Sequence, residues 1–142
     1  MENMWTRSFP ATRYVEELIS SKSLGEVVTC HADLGFNIPE SVERLYDLAR
    51  GGGGLLDLGI YPLAWVMLAF KGQEMRSVSA TARLHKGGAD TTGAVTIKYG
   101  SEGLAVASYS TRSETQNNVE IGCTHGKITV HGWSGHCPEK VF

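Results

Sequence analysis

Hydrophobic positions recur along this chain at two different periods, and the switch between them divides it. Tyr14, Val15, Leu18 and Ile19 fall on one helical face. Thr12 is placed to cap that helix, and Ser23, Leu24 and Gly25 to stop it. Residues 26–36 are valine-rich and alternate in part, the pattern of a strand, which Asn37, Ile38 and Pro39 break. Residues 40–50 carry Val42, Leu45, Tyr46 and Ala49, the spacing of a second amphipathic helix. The four glycines at 51–54 end it, since each would cost ~1 kcal/mol in a helix interior. A third helix is predicted over 55–71, with Pro62 tolerated near its first turn. Beyond residue 78 the period becomes two. Residues 78–85, 93–99, 104–111, 118–123 and 127–131 read as short strands separated by glycine-containing turns or polar loops. Consecutive strands with tight turns predict an antiparallel meander. The expected fold is therefore α+β: a mostly antiparallel open β-sheet with helices packed on one face. Residues 1–10 read as an extended entry segment with Trp5 and Phe9, and residues 135–142 end without a closing element.

Composition narrows the function classes. The 142 residues suit one domain, and leave no room for separate cofactor-binding and substrate-binding domains. A net charge of −2 lacks the basic excess of a nucleic-acid binder, so no nucleic acid is expected. The longest wholly apolar run, at 63–70, has eight residues, against the ~20 a membrane helix needs, so no membrane is expected. The start of the chain lacks the basic-then-apolar layout of a secretory signal. Three cysteines without CxxC spacing fit a reduced, cytoplasmic setting better than a disulfide framework.

Glycine is in excess, with 17 residues, and its largest cluster marks the most unusual stretch, GGGGLLDLGIYP at 51–62. Glycines before a helix allow close approach to its exposed N–H groups. Asp57 and Tyr61 lie four apart and project from one face. A carboxylate and a phenol at one helix mouth can hold and move a proton. Spacing by itself favours plainer roles, with Asp57 as a helix cap and Tyr61 as a half-buried aromatic. No GxGxxG follows a strand, and no GxxxxGK[ST], HExxH or GxSxG occurs. Cys123 with His125, and His136 with Cys137, do not have the spacing of known zinc modules, so no metal is expected. Trp65, Met67, Leu68 and Phe70 read as core, and His31 and His131 as strand residues.

Four ordered motifs carry a family resemblance. NMWTRSFPA at 3–11, LGEV at 24–27, GGGGLLDLGIYP at 51–62 and IGCTHGKI at 121–128 resemble the C-terminal domain of the Gfo/Idh/MocA oxidoreductases. The branch resembled is that of the trans-1,2-dihydrobenzene-1,2-diol dehydrogenases, also described as NADP-dependent D-xylose dehydrogenases. The resemblance implies that residues 1–142 are the C-terminal substrate and dimerisation domain, short of its last strand and terminal helix. It further implies that the N-terminal Rossmann domain, which binds NADP or NAD, lies outside this chain. Position by position, it implies Tyr61 as the acid/base, Asp57 as an active-site carboxylate, and Trp5 and Phe36 as lining of the substrate pocket. Arg7 matches a position near the cofactor, and Ser8 replaces an aromatic usual in that branch. Trp133 is either a further pocket residue or a surface aromatic.

The implied reaction oxidises a CH–OH group of a sugar or trans-dihydrodiol by hydride transfer to the nicotinamide. The hydroxyl proton passes to Tyr61. An ordinary phenol titrates near ~10, so a base at neutral pH needs a nearby cation, and the family's lysine for this purpose belongs to the Rossmann domain. A carboxylate acts in the opposite sense, which gives Asp57 an orienting or substrate-binding role. The alternative reading is a catalytically inactive fragment or assembly module. The face of the sheet left without helices is then expected to form a homodimer.

Overall fold

The computed structural model describes residues 4–142 except Gly135, without the side chains of 132–134. A short 3₁₀ turn at Trp5–Ser8 leads into helix α1, Pro10–Ser21. Pro10 occupies the first helical position, where its missing N–H costs nothing, so the helix begins two residues before the expected Thr12. Thr12 is buried, and its hydroxyl donates instead to the Thr6 carbonyl at 2.6 Å. Lys22 closes α1 in the left-handed conformation.

Strand β1, Val27–Gly35, follows. The helix expected over 40–50 does not form. Two 3₁₀ turns, Glu43–Leu45 and Leu48–Arg50, stand there instead. Asp47 interrupts them in an extended conformation and accepts the Ala49 N–H at 2.9 Å. A side chain that bonds its own neighbouring backbone competes with helix, and a segment between Pro39 and four glycines is too short to recover the cost of nucleation. Leu45 and Tyr46 are buried, but Leu48 is exposed.

The third helix forms in two parts, a wide π-type turn at Leu55–Gly59 and helix α2, Ile60–Ala69. Pro62 has no N–H for the carbonyl one turn back, and its ring crowds that carbonyl. The widened turn, in which the Ile60 N–H reaches back to Leu55 O, absorbs the conflict. The stretch Leu48–Ala69 is apolar and long enough to resemble a membrane span by composition. Here it is broken by the glycines, and Trp65, Val66 and Ala69 are buried against the sheet.

Six further strands complete the fold: β2 (Met75–Leu84), β3 (Asp90–Tyr99), β4 (Gly103–Ser110), β5 (Val119–Cys123), β6 (Gly126–Ser134) and β7 (Cys137–Val141). They form one sheet in the order β2-β3-β4-β1-β5-β6-β7. The expected meander is therefore interrupted. β1 lies between β4 and β5, parallel to β4 and antiparallel to β5. β7, a strand that the pattern does not predict, pairs antiparallel with β6 at the sheet's edge. Pro138 obscures it in the sequence and is tolerated there because an edge strand needs fewer ladder bonds.

Alternation assigns the two faces. Cys30, Ala32, Ala105, Ala107, Val95, Ile97 and Ile121 meet Val15, Trp65, Val66 and Phe70 in one core beneath the helices. The opposite face carries Thr29, His31, Asp33, Thr96, Val106 and Ser108, small and polar residues that are only partly covered or exposed. β2 is exposed along its whole length, including Met75, Val78 and Leu84.

Candidate functional site

The mouth of α2 is held from the sheet. Gly53 has a φ of 139°, and a Cβ there would stand 2.4 Å from an oxygen of Asp90, so glycine alone admits this approach. The other oxygen of Asp90 accepts the Leu55 N–H at 2.7 Å. Tyr109 donates its hydroxyl to the same carboxylate, and burial together with that carboxylate keeps its proton bound well above the ordinary tyrosine range. The Tyr109 ring fits against bare backbone: a Cβ on Gly54, Gly59 or Gly93 would lie 2.4–2.9 Å from it. Three of the chain's excess glycines thus serve one tyrosine.

Asp57 and Tyr61 ride on this mouth. Asp57 makes no side-chain cap. It pairs with Arg44 at 2.5 Å, its own side chain 24% exposed and Arg44's 62%. The pair joins the 3₁₀ segment to the π turn and neutralises the carboxylate at the surface. Tyr61 is half-buried beside a small cluster of Leu34, Leu58 and Tyr109, which Phe36 also borders.

Trp5, Phe36 and Tyr61 come together around a residue that the sequence does not nominate for the site. The His136 ring lies 5.3 Å from Tyr61, 5.8 Å from Phe36 at nearly a right angle, and 5.8 Å from Trp5. Trp5 also meets Phe9 edge to face at 5.7 Å. His136 sits in the turn between β6 and β7, and its carbonyl accepts the Thr6 hydroxyl at 2.7 Å. Thr6 is itself fixed by Thr12, so the entry turn and the β6–β7 turn are tied together. Burial lowers the His136 imidazole below its ordinary value of 6.5, which favours the neutral ring at pH 7. In the sequence His136 stands out only beside Cys137, as half of a spacing that no zinc module uses. No local pattern around it points to the site.

Arg7 is not brought to this cluster. It is exposed and lines a cleft of about 390 Å³ between α1 and α2, with Thr6, Glu16, Trp65 and Lys71. The side chain of Trp133 lies outside the described residues. Among the described residues no three His, Cys, Asp or Glu side chains gather as a metal site. Nor does the mouth of α2 fit a dinucleotide. The glycine run follows a 3₁₀ turn rather than a strand, and Asp90 already occupies the Leu55 N–H that a phosphate would seek.

Residues 12–129 match the model of the GFO/IDH/MocA C-terminal domain. The chain belongs to this family. Among curated relatives, the trans-1,2-dihydrobenzene-1,2-diol dehydrogenase of Danio rerio is 34% identical over 147 residues, covering 100% of this chain and 42% of its own length. That of Bos taurus is 38% identical over 128 residues, covering 89% and 37%. The chain therefore spans about two fifths of these relatives. Among solved structures, an aldose-aldose oxidoreductase from Caulobacter crescentus complexed with glycerol superposes with a TM-score of 0.79 at 22% identity, covering 88% of this chain and 38% of that one. A 3-ketoreductase from Actinomadura kijaniata, in complex with NADP and TDP-benzene, also gives 0.79 at 22% identity, covering 92% and 40%. These likenesses establish the mostly antiparallel open sheet as this oxidoreductase family's fold.

Proposed function

We propose that this chain is the substrate-binding part of an NAD(P)-dependent dehydrogenase that oxidises a CH–OH group of a sugar or trans-dihydrodiol. The observation that carries the reading is the convergence of Trp5, Phe36 and Tyr61 from three separate segments at one end of the sheet. On this reading the nicotinamide nucleotide, NADP or NAD, is held by a Rossmann domain outside these residues, with Arg7 turned towards it. Tyr61 exchanges the proton of the reacting hydroxyl, Asp57 accepts a hydrogen bond from a substrate hydroxyl, and Trp5, Phe36 and Trp133 wall the pocket. The Asp57–Arg44 pair supports the orienting role, because a carboxylate already neutralised by a guanidinium is suited to binding rather than to proton transfer. A cytoplasmic setting accords with three free thiols, of which Cys30 is buried and pushed up to about 12.

The test is Tyr61→Phe in this chain fused to a complete Rossmann domain. Loss of a general acid–base costs roughly 10²- to 10⁴-fold in turnover, with the fold retained. Near-normal turnover removes Tyr61 from the role.

A second reading is an assembly module that pairs with another copy of itself and lacks activity alone. The feature that favours it is β2, a ten-residue strand exposed on both faces at the sheet's edge. Micromolar binding of NADPH by the chain alone contradicts this reading.

A further inference from the structure

We propose that Thr6 is a positioning residue of the Tyr61 site, its hydroxyl holding Trp5 and the His136 ring in place beside Tyr61 and Phe36. This rests on the dehydrogenase reading above, and deepens it by naming a residue that sets the pocket's shape from behind its walls. Trp5, Phe36 and Tyr61 each meet the His136 ring, at 5.3–5.8 Å. The arrangement of the three walls therefore follows the place of that ring. Local structure fixes Trp5 only weakly. Its turn, Trp5–Ser8, is a single 3₁₀ turn of four residues without a side-chain cap, too short to persist by itself. The backbone bonds there are long: the Arg7 N–H reaches Met4 O at 3.3 Å, and the Phe9 N–H reaches Thr6 O at 3.5 Å, against an ordinary ~2.9–3.0 Å. Trp5 is also 45% exposed, so packing covers only part of it.

The two threonine bonds are of a different quality. Thr6 Oγ1 donates to His136 O at 2.7 Å, and Thr12 Oγ1 donates to Thr6 O at 2.6 Å. Both lengths lie near the optimum for a hydroxyl donor. Both threonines are buried, each 2% exposed. A buried position that needs only shape is filled as well by valine, and a hydroxyl is costly there unless it is bonded. The Thr6 hydroxyl is thus accounted for by the bond it makes, which joins the entry turn to the β6–β7 turn over a separation of 130 residues. Thr12 holds Thr6 from the other side, on helix α1, which Val15 anchors in the core. Rigid helix, entry turn and sheet end are in this way clipped together where Trp5 and His136 meet. Thr6 acts on the walls and not on the Tyr61 hydroxyl, so its effect falls on substrate binding.

The experiment is an NMR titration of the chain with trans-1,2-dihydrobenzene-1,2-diol, together with nuclear Overhauser contacts among the rings. In wild type the His136 ring should show contacts to Trp5, Phe36 and Tyr61, and the diol should shift Tyr61. Thr6→Val keeps the shape and removes the donor. It should lose the Trp5–His136 contact and weaken the diol about tenfold, the loss of one neutral hydrogen bond, with the signals of β1 and β4 unmoved. Thr6→Ser keeps the donor, and should restore both the contact and an affinity within about twofold of wild type. If Thr6→Val binds the diol as wild type does, the role of Thr6 is overturned while the site stands. That role is equally overturned if Thr6→Ser binds no better than Thr6→Val. Should Thr6→Val lose its dispersed spectrum, Thr12→Val decides: it leaves the Thr6 donor but frees its carbonyl, and should weaken the diol about threefold. Unchanged affinity in that variant overturns the proposal. A diol that shifts none of Tyr61, Phe36 and Trp5 in wild type overturns the site itself, and the role of Thr6 with it.

Discussion

Among single residues, His136 is one whose proton equilibrium changes on folding. Its value is lowered in the folded chain because burial penalises the imidazolium, whereas the unfolded chain returns it to the ordinary ~6.5. Between the two values the unfolded state binds more protons, so stability rises with pH there. The contribution is complete above the unfolded value and is lost as pH falls through it towards the folded one. Urea midpoints at pH 7 and pH 5 should therefore separate more in wild type than in His136→Gln. An equal separation would show that other groups govern the acid limb. The same residue marks what sequence can and cannot convey. Trp5, Phe36 and Tyr61, which the structure brings together, stand out in the sequence because they lie in, or next to, ordered motifs and strand ends. His136 reaches Tyr61 only through the closing of the sheet, a contact between distant segments that no local spacing encodes.

At the level of elements, the π turn and α2 depend on Asp90. Its carboxylate receives both the Leu55 N–H and the Tyr109 hydroxyl. Asp90→Asn removes the charge and one of the two acceptor oxygens, and should destabilise the chain by about 1–3 kcal/mol. It should also broaden the NMR signals of residues 55–61 more than those of β5 and β6. Uniform broadening across the sheet would argue that Asp90 acts on global stability alone. Strands β2 to β6 are legible within a few residues, because alternation and turn residues agree, whereas Pro138 hides β7. The segment 40–50 is not, because the same apolar spacing serves a helix or two 3₁₀ turns, and Asp47 decides between them. The glycine run is readable as a boundary, but its purpose, making room for Asp90 and Tyr109, lies in a strand and a pairing far along the chain.

For the whole molecule, the fold class follows from helices in the first half and strands in the second, but the strand order does not. Pairing is non-local, and nothing in β1 announces that its neighbours are β4 and β5. The helix-free face is more polar than a buried interface core, with Thr, Ser, Asp and His in place of large apolar residues. A groove of about 500 Å³ crosses it beside His31, Asp33, Val106, Ser108 and Glu120. If β2 and this face pair with a second copy, light scattering after size exclusion should give twice the 15.4 kDa chain mass. Lysine substitution at Val78 and Leu84 should then return the mass of one chain. A wild-type chain that elutes as a monomer at high micromolar concentration would exclude that assembly.

The parallel seam between β1 and β4 also governs the order in which the chain can acquire its structure. Thr29 must wait for Leu104 and Ile121's strand before both of its edges are filled. Loop closure over such separations slows folding. During synthesis β1 emerges before β4 and β5 and remains an unpaired edge until they follow. In that interval its unpaired edges are open to aggregation, which the finished sheet closes off by pairing.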